Sequence, residues 1–127
     1  MNRYFFAFRQ VLISFQVAHQ IPLYHRDIRW ENIVRRMDDE SKWFLIDWED
    51  ATTPPTFAQP SFAKETHSPD IFRDGHGQEV DIWAIGYLIQ ACTIAALSIE
   101  IMKLGARIRE ESHKLSAQEV LVLLKSS

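Results

Sequence analysis

Cysteine occurs once in these 127 residues, at Cys92 inside an apolar run. One thiol excludes a disulfide framework within the chain, and a reducing, cytoplasmic (intracellular) setting is the expectation. Glycine is nearly as scarce: Gly75, Gly77, Gly86 and Gly105 are the only four, and no Gly-rich phosphate cradle is among them. Gly75-His76-Gly77 reads as a turn, because no strand–loop–helix context surrounds it. Positive charge is not in excess either. Fourteen Lys and Arg against seventeen Asp and Glu leave a formal net charge of −3, which argues against a nucleic-acid grip. The start from Met1 to Arg9 has no small-residue cleavage site, so a helix is expected there, not a targeting signal. His19, His67, His76 and His113 lack ligand spacing and a Cys partner, so no zinc site is expected.

Apolar residues make up 46% of the chain, enough for one well-filled core, and a single domain over 1–127 is expected. Ile82 to Ile99 is an 18-residue run in which Gln90, Thr93 and Ser98 are the clearly polar members. That length approaches a membrane span. Its flanks are Asp81 and Glu100 instead of basic clusters, so a helix buried on all sides in a globular core is expected.

Phe5, Phe8, Leu12 and Phe15 recur at 3-4-3 spacing, which predicts an amphipathic helix from about Arg3 to His19, closed by Pro22. Leu23-Tyr24, Ile33-Val34 and Trp43-Phe44-Leu45-Ile46 suit short strands, the last two joined by a charged hairpin loop from Arg35 to Lys42. Ala51 to Pro69 holds four of the five prolines and reads as a long irregular segment. A buried helix follows over about 79–95. Leu97, Ile101, Leu104 and Ile108 at 4-3-4 spacing then open the C-terminal helices, about 97–124. Ser116 and Glu119 form an S-x-x-E capping box, with Leu115 and Val120 as its hydrophobic staple. The fold class expected is mainly α (α+β).

Three clusters carry chemistry, in order. His25-Arg26-Asp27-Ile28-Arg29-Trp30-Glu31-Asn32 places Asn five positions after Asp. Leu45-Ile46-Asp47-Trp48-Glu49 sets an acid after an apolar strand. Ser68-Pro69-Asp70 is followed eleven residues later by Asp81-Ile82-Trp83-Ala84-Ile85-Gly86. A lone His-Arg-Asp triplet is weak, since most such triplets are solvated surface; the ordered set is not.

Together they resemble the C-terminal lobe of the eukaryotic protein kinase-like superfamily, serine/threonine type. The first cluster is similar to the catalytic loop H-R-D-L-x-x-x-N, the second stands at D-F-G, and the third is similar to A-P-E. The resemblance implies ATP and Mg²⁺ as cofactors. Asp27 would accept or orient the hydroxyl proton, and Arg29 would neutralise the transferring phosphoryl group. Asn32 and Asp47 would hold Mg²⁺, a hard cation that prefers oxygen donors. Val34 and Leu88, with Cys92, match positions beneath the adenine ring. Asp81 would brace the loop backbone, His25 and Trp48 would stack, and Arg26 would face a phosphorylated loop, with Thr52, Thr53, Thr56 and Ser61 as phosphoacceptors. Asp70 would pair with Lys114. The partners implied are a protein substrate or a chain carrying the upper lobe, with no nucleic acid and no membrane. Self-association through an exposed interlobe surface is a further expectation.

The sequence departs from that pattern. The Gly-rich loop and the V-A-I-K lysine are not in these residues, so the isolated chain is expected to be inactive. Glu49 replaces the Gly of D-F-G, and Ile46-Asp47-Trp48-Glu49 also resembles the I-D-W-E of aminoglycoside- and choline-kinase-like phosphotransferases. A small-molecule phosphotransferase remnant and a non-catalytic interaction module therefore stand beside the first reading. Arg26, Ser68-Pro69-Asp70 and Asp81 favour the protein-kinase form.

Overall fold

In a computed structural model, the chain is described over residues 3–92 and 97–126. Helix α1 spans Arg3–Ala18, strands β1 and β2 span Ile33–Arg35 and Trp43–Leu45, and helices α2, α3 and α4 span Glu79–Gln90, Ile99–Glu110 and Ala117–Lys125. The mainly helical α+β class expected from the sequence is what forms. The strands pair antiparallel with Ile33 opposite Leu45 and Arg35 opposite Trp43. Their connection is organised by Asp39, whose Oδ1 accepts the amide and hydroxyl of Ser41 at 3.0 and 2.6 Å. Those bonds to the charged form pull the Asp39 carboxyl below its ordinary value.

The periodicities predict the buried faces. Phe8, Leu12 and Phe15 of α1 are fully buried, as is Ile108 of α3, with Leu104 buried beside it in that helix. α1 packs on α4 and β2, and α2 packs on α3. Tryptophan serves the core: Trp30 meets Tyr4 edge-on at 5.8 Å and Phe8 at 5.6 Å, and Trp43 lies 6.0 Å from Tyr4. The α2–α3 crossing is closed by two glycines. A Cβ on Gly86 would stand 2.5 Å from the carbonyl oxygen of Gly105, and one on Gly105 would stand 2.9 Å from Ile89.

Two expectations are adjusted. Leu23-Tyr24 makes one antiparallel bridge, Tyr24 to Thr52, and not a strand. Helix α2 ends at Gln90, with Ala91 already in a turn; the expected end at Ala95 falls on residues 93–96, outside the described residues. Among the described residues no helix is long and apolar enough to cross a membrane. As expected, the run from Ile82 to Gln90 lies in the central helix, in which Val80 to Gly86 are all buried. At α4 the capping box is complete: Ser116 Oγ accepts the Glu119 amide, and the Glu119 carboxylate accepts the Ser116 amide.

Candidate active site

The loop from His25 to Asn32 is built around one carboxylate. Asp81, in the first turn of α2, is fully buried. Its Oδ2 accepts the amide of His25 at 2.9 Å and Nε2–H of His19 at 2.8 Å, while Oδ1 accepts the amide of Arg26 at 2.8 Å. A buried carboxylate is tolerated only with such partners. The clamp supports a left-handed backbone at Arg26, where φ is 75°, a conformation that side chains with a Cβ rarely adopt.

The loop's own side chains continue the scaffold. His25 is fully buried; its Nδ1 accepts the Asp27 amide at 3.1 Å, which leaves the proton on Nε2 to reach the carbonyl of Ile46 at 2.9 Å. Its ring meets Trp48 at 4.7 Å in an edge-to-face contact, and Trp48 Nε1 donates to the carbonyl of Leu45. Asn32 Nδ2 donates to the Asp27 carbonyl at 2.7 Å, and its own carbonyl accepts the Ile46 amide at 2.8 Å. The His25–Asn32 loop and the Asp47 turn are thus stitched together at His25 and Asn32. Asp47 follows at a φ of 62°, a region that Asp tolerates better than most residues.

This stitching leaves specific oxygens free. Among the described residues, Oδ2 of Asp27 and Oδ1 of Asn32 have no hydrogen-bond partner, and the buried side-chain nitrogens and oxygens left unpartnered are only His19 Nδ1 and Trp30 Nε1. Those two oxygens therefore reach solvent. The Asp47 side chain is exposed and likewise unbonded. A carboxamide oxygen and a carboxylate on adjoining turns suit a hard divalent cation that completes its shell with water and phosphate. Arg29 lies beside Asp27, its side chain half exposed and its Nε 3.5 Å from Asp27 Oδ1.

Several expected roles land elsewhere. Arg26 is buried, and its Nε and Nη2 both donate to the carbonyl of Asp50, at 2.8 and 2.6 Å. Nη1 reaches His76 Nε2 at 3.4 Å. Burial pulls the Arg26 guanidinium below its ordinary value, opposed by the Asp50 and Asp81 carboxylates. Thr56, one of the proposed phosphoacceptors, is buried with its hydroxyl on the His76 carbonyl; Thr53 and Ser61 are exposed. Asp70 does not pair with Lys114. It takes His113 at 2.8 Å, because residues 111–114 turn so that the Lys114 amide bonds Glu111 while its side chain is exposed. Leu88 is fully buried within α2 and lies on no interlobe surface, since that helix is enclosed on nearly every side. Val34 does stand at the surface, 39% exposed, with Phe44 opposite it and Ile46 nearby also exposed.

Sequence reasoning missed His67. It is buried, and its Nε2 lies 2.9 Å from Oδ1 of Asp27. Forty residues separate the two, and only the place of His67 just before Ser68-Pro69 hinted at the site.

The acid-clamped loop, the open carboxylate oxygen of Asp27 and the oxygen donors of Asn32 and Asp47 make a kinase-like arrangement. Comparison agrees at that coarse level. The chain is 26% identical over 86 residues to calcium-dependent protein kinase 22 of Arabidopsis thaliana, covering 65% of this chain and 17% of that protein. It is 38% identical over 99 residues to Crinkler effector protein 8 of Phytophthora infestans, covering 74% of this chain and 16% of that protein. No family model matches. The relationship is kinase-like, and the chain spans about one sixth of the length of these curated relatives.

Proposed function

We propose that this chain is the catalytic-loop lobe of a protein kinase-like phosphotransferase. With ATP, Mg²⁺ and an ATP-gripping lobe, it moves a phosphoryl group to serine or threonine hydroxyls of proteins. The observation that carries the reading is the Asp81 clamp on a loop in which Asp27 keeps Oδ2 open and Asn32, bonded to the Asp27 carbonyl, keeps Oδ1 free. Bound Mg²⁺ would offset the charge of the phosphates. Asn32 and Asp47 are the residues to hold it. Asp27 would take the hydroxyl proton at Oδ2, and Arg29 would face the transferring group with its exposed guanidinium. Ser68, Pro69 and Asp70 cap a short 3₁₀ turn, with Ser68 Oγ accepting the Asp70 amide, and that turn would border the substrate.

The exposed Val34, Phe44 and Ile46 form an apolar face on the sheet. In this reading they meet the ATP-gripping lobe or the chain that carries it.

The test is a titration of the 127-residue chain with Mg-ATP, followed by backbone amide NMR. Shifts at Asn32, Asp47 and Trp48 that require Mg²⁺ and vanish in Asp47→Ala and Asn32→Ala are expected. An unmoved spectrum at millimolar Mg-ATP sinks the reading. Phosphate transfer by the 127 residues alone is expected to be negligible, because they hold neither the Gly-rich loop nor the strand lysine.

A further inference from the structure

The imidazole of His67 is engaged at both nitrogens. Nδ1 lies 2.9 Å from the carbonyl oxygen of Ala63, which can only accept, so Nδ1 carries a proton. The Thr66 hydroxyl lies 3.0 Å from the same nitrogen. Nε2 meets Oδ1 of Asp27 at 2.9 Å, a contact that attracts only with a proton between the two atoms. The ring also stacks on Phe62 at 4.6 Å with planes 26° apart. Arg29 reaches the same carboxylate oxygen at 3.5 Å, and Arg26, Thr66 and Ser68 line the small cavity beside the ring. Nδ1 thus ties the ring to its own segment, and Nε2 ties it to a carboxylate 40 residues away in the chain.

We propose that His67 is a positioning residue that latches the long Ala51–Pro69 segment onto the catalytic-loop carboxylate. The latch occupies Oδ1, sets the carboxylate plane and leaves Oδ2 as the oxygen that faces an incoming hydroxyl. It also places the segment without a phosphate. Arg26 already donates to the Asp50 carbonyl just before the segment, so it and Asp27 both have partners within the chain. The role given to Oδ2 rests on the phosphotransfer reading; the latch itself does not.

The latch predicts how the segment opens. Lys64 is exposed between Ala63 and His67, and tryptic cleavage after it reports the open population when closing is fast. Cleavage is measured on the whole chain without nucleotide. His67→Phe keeps the stack on Phe62 and removes the nitrogens, and a rise in cleavage of about tenfold is expected, as for loss of a charged hydrogen bond. His67→Gln, which retains a donor, returns the rate toward wild type. Asp27→Ala matches His67→Phe, and the double variant is cleaved no faster than either single one. Wild-type cleavage of His67→Phe, or single effects that multiply in the double variant, overturns the latch. A second measurement does not depend on the segment refolding around phenylalanine: the ring ¹⁵Nε2 resonance of His67 moves in Asp27→Asn. An unmoved resonance overturns the latch too. A failed Mg-ATP titration alongside a non-additive cleavage result removes the phosphotransfer reading alone.

Discussion

Oδ1 of the buried Asp81 accepts the amide of Arg26 at 2.8 Å, joining the first turn of the central helix to a residue held at a φ of 75°. The other oxygen takes His25 and His19, so three donors converge on one carboxylate. In Asp81→Asn the carboxamide turns two hydrogens toward these donors and leaves at least one buried amide unpaired. A loss of about 2–4 kcal/mol is expected from breaking such a buried network. Urea unfolding followed by tryptophan fluorescence measures it, and an unchanged midpoint would show that the clamp contributes little.

The α2–α3 crossing is equally intolerant of one carbon. Gly86→Ala would bring a methyl within 2.5 Å of the Gly105 carbonyl oxygen and 2.7 Å of the Arg109 side chain. The helices must separate, at a cost of about 1–3 kcal/mol by the usual penalty for overpacking. Gly75→Ala meets nothing within 4 Å but sits at a φ of 81°, so its smaller loss arises from backbone strain alone. Thermal melts of the two variants separate these causes.

At the other end of the chain, Ser116→Ala removes one half of a reciprocal capping box and exposes the Glu119 amide. A loss of about 1 kcal/mol is expected from the general cost of deleting such a cap. Ser116→Asp restores most of it, because a carboxylate accepts the same amide and favours the helix N-terminus. Denaturant melts of both variants check the order.

Tyr24 supplies a pH signature. Its phenol is held above the ordinary value, first by burial and then by the Glu79 and Asp81 carboxylates. A folded-state value above the unfolded one means the contribution is complete below the unfolded value. It is lost as pH rises through the folded value, so stability falls on the alkaline side. An ultraviolet titration of the folded chain is expected to show a late phenolate component that Tyr24→Phe removes. A Tyr24→Phe titration with the late component intact contradicts the assignment.

Much of the fold was legible because periodicity is a local property. The 3-4-3 spacing of Phe5, Phe8, Leu12 and Phe15 sets one helical face, and the Ser116–Glu119 pair marks a helix start within four residues. The hairpin was legible for the same reason. The end of α2 was not: Ala91 and Cys92 are as apolar as the helix before them, and apolarity alone does not mark a stop.

The candidate site divides along the same line. Order and spacing in the sequence single out Asp27, Asn32, Asp47 and Asp81 as a set. Which oxygen of each stays open depends on partners elsewhere, and those came from the fold. Lys114 was one residue away from the actual partner of Asp70, because a turn over 111–114 offers His113 instead. Leu88 was expected at a surface that an enclosed helix cannot provide.

By itself, then, the sequence determined the helices, the hairpin and the ordered acids of the loop, since each depends on residues close along the chain. The scarcity of glycine withholds a phosphate cradle from these residues, and two of the four glycines stand at one helix crossing. Only the tertiary structure decided that His67 grips Asp27 and that Arg26 spends its guanidinium on a carbonyl. Those contacts close across 40 and 24 residues, and hydrogen-bond geometry at that range is set by packing, which no local pattern encodes.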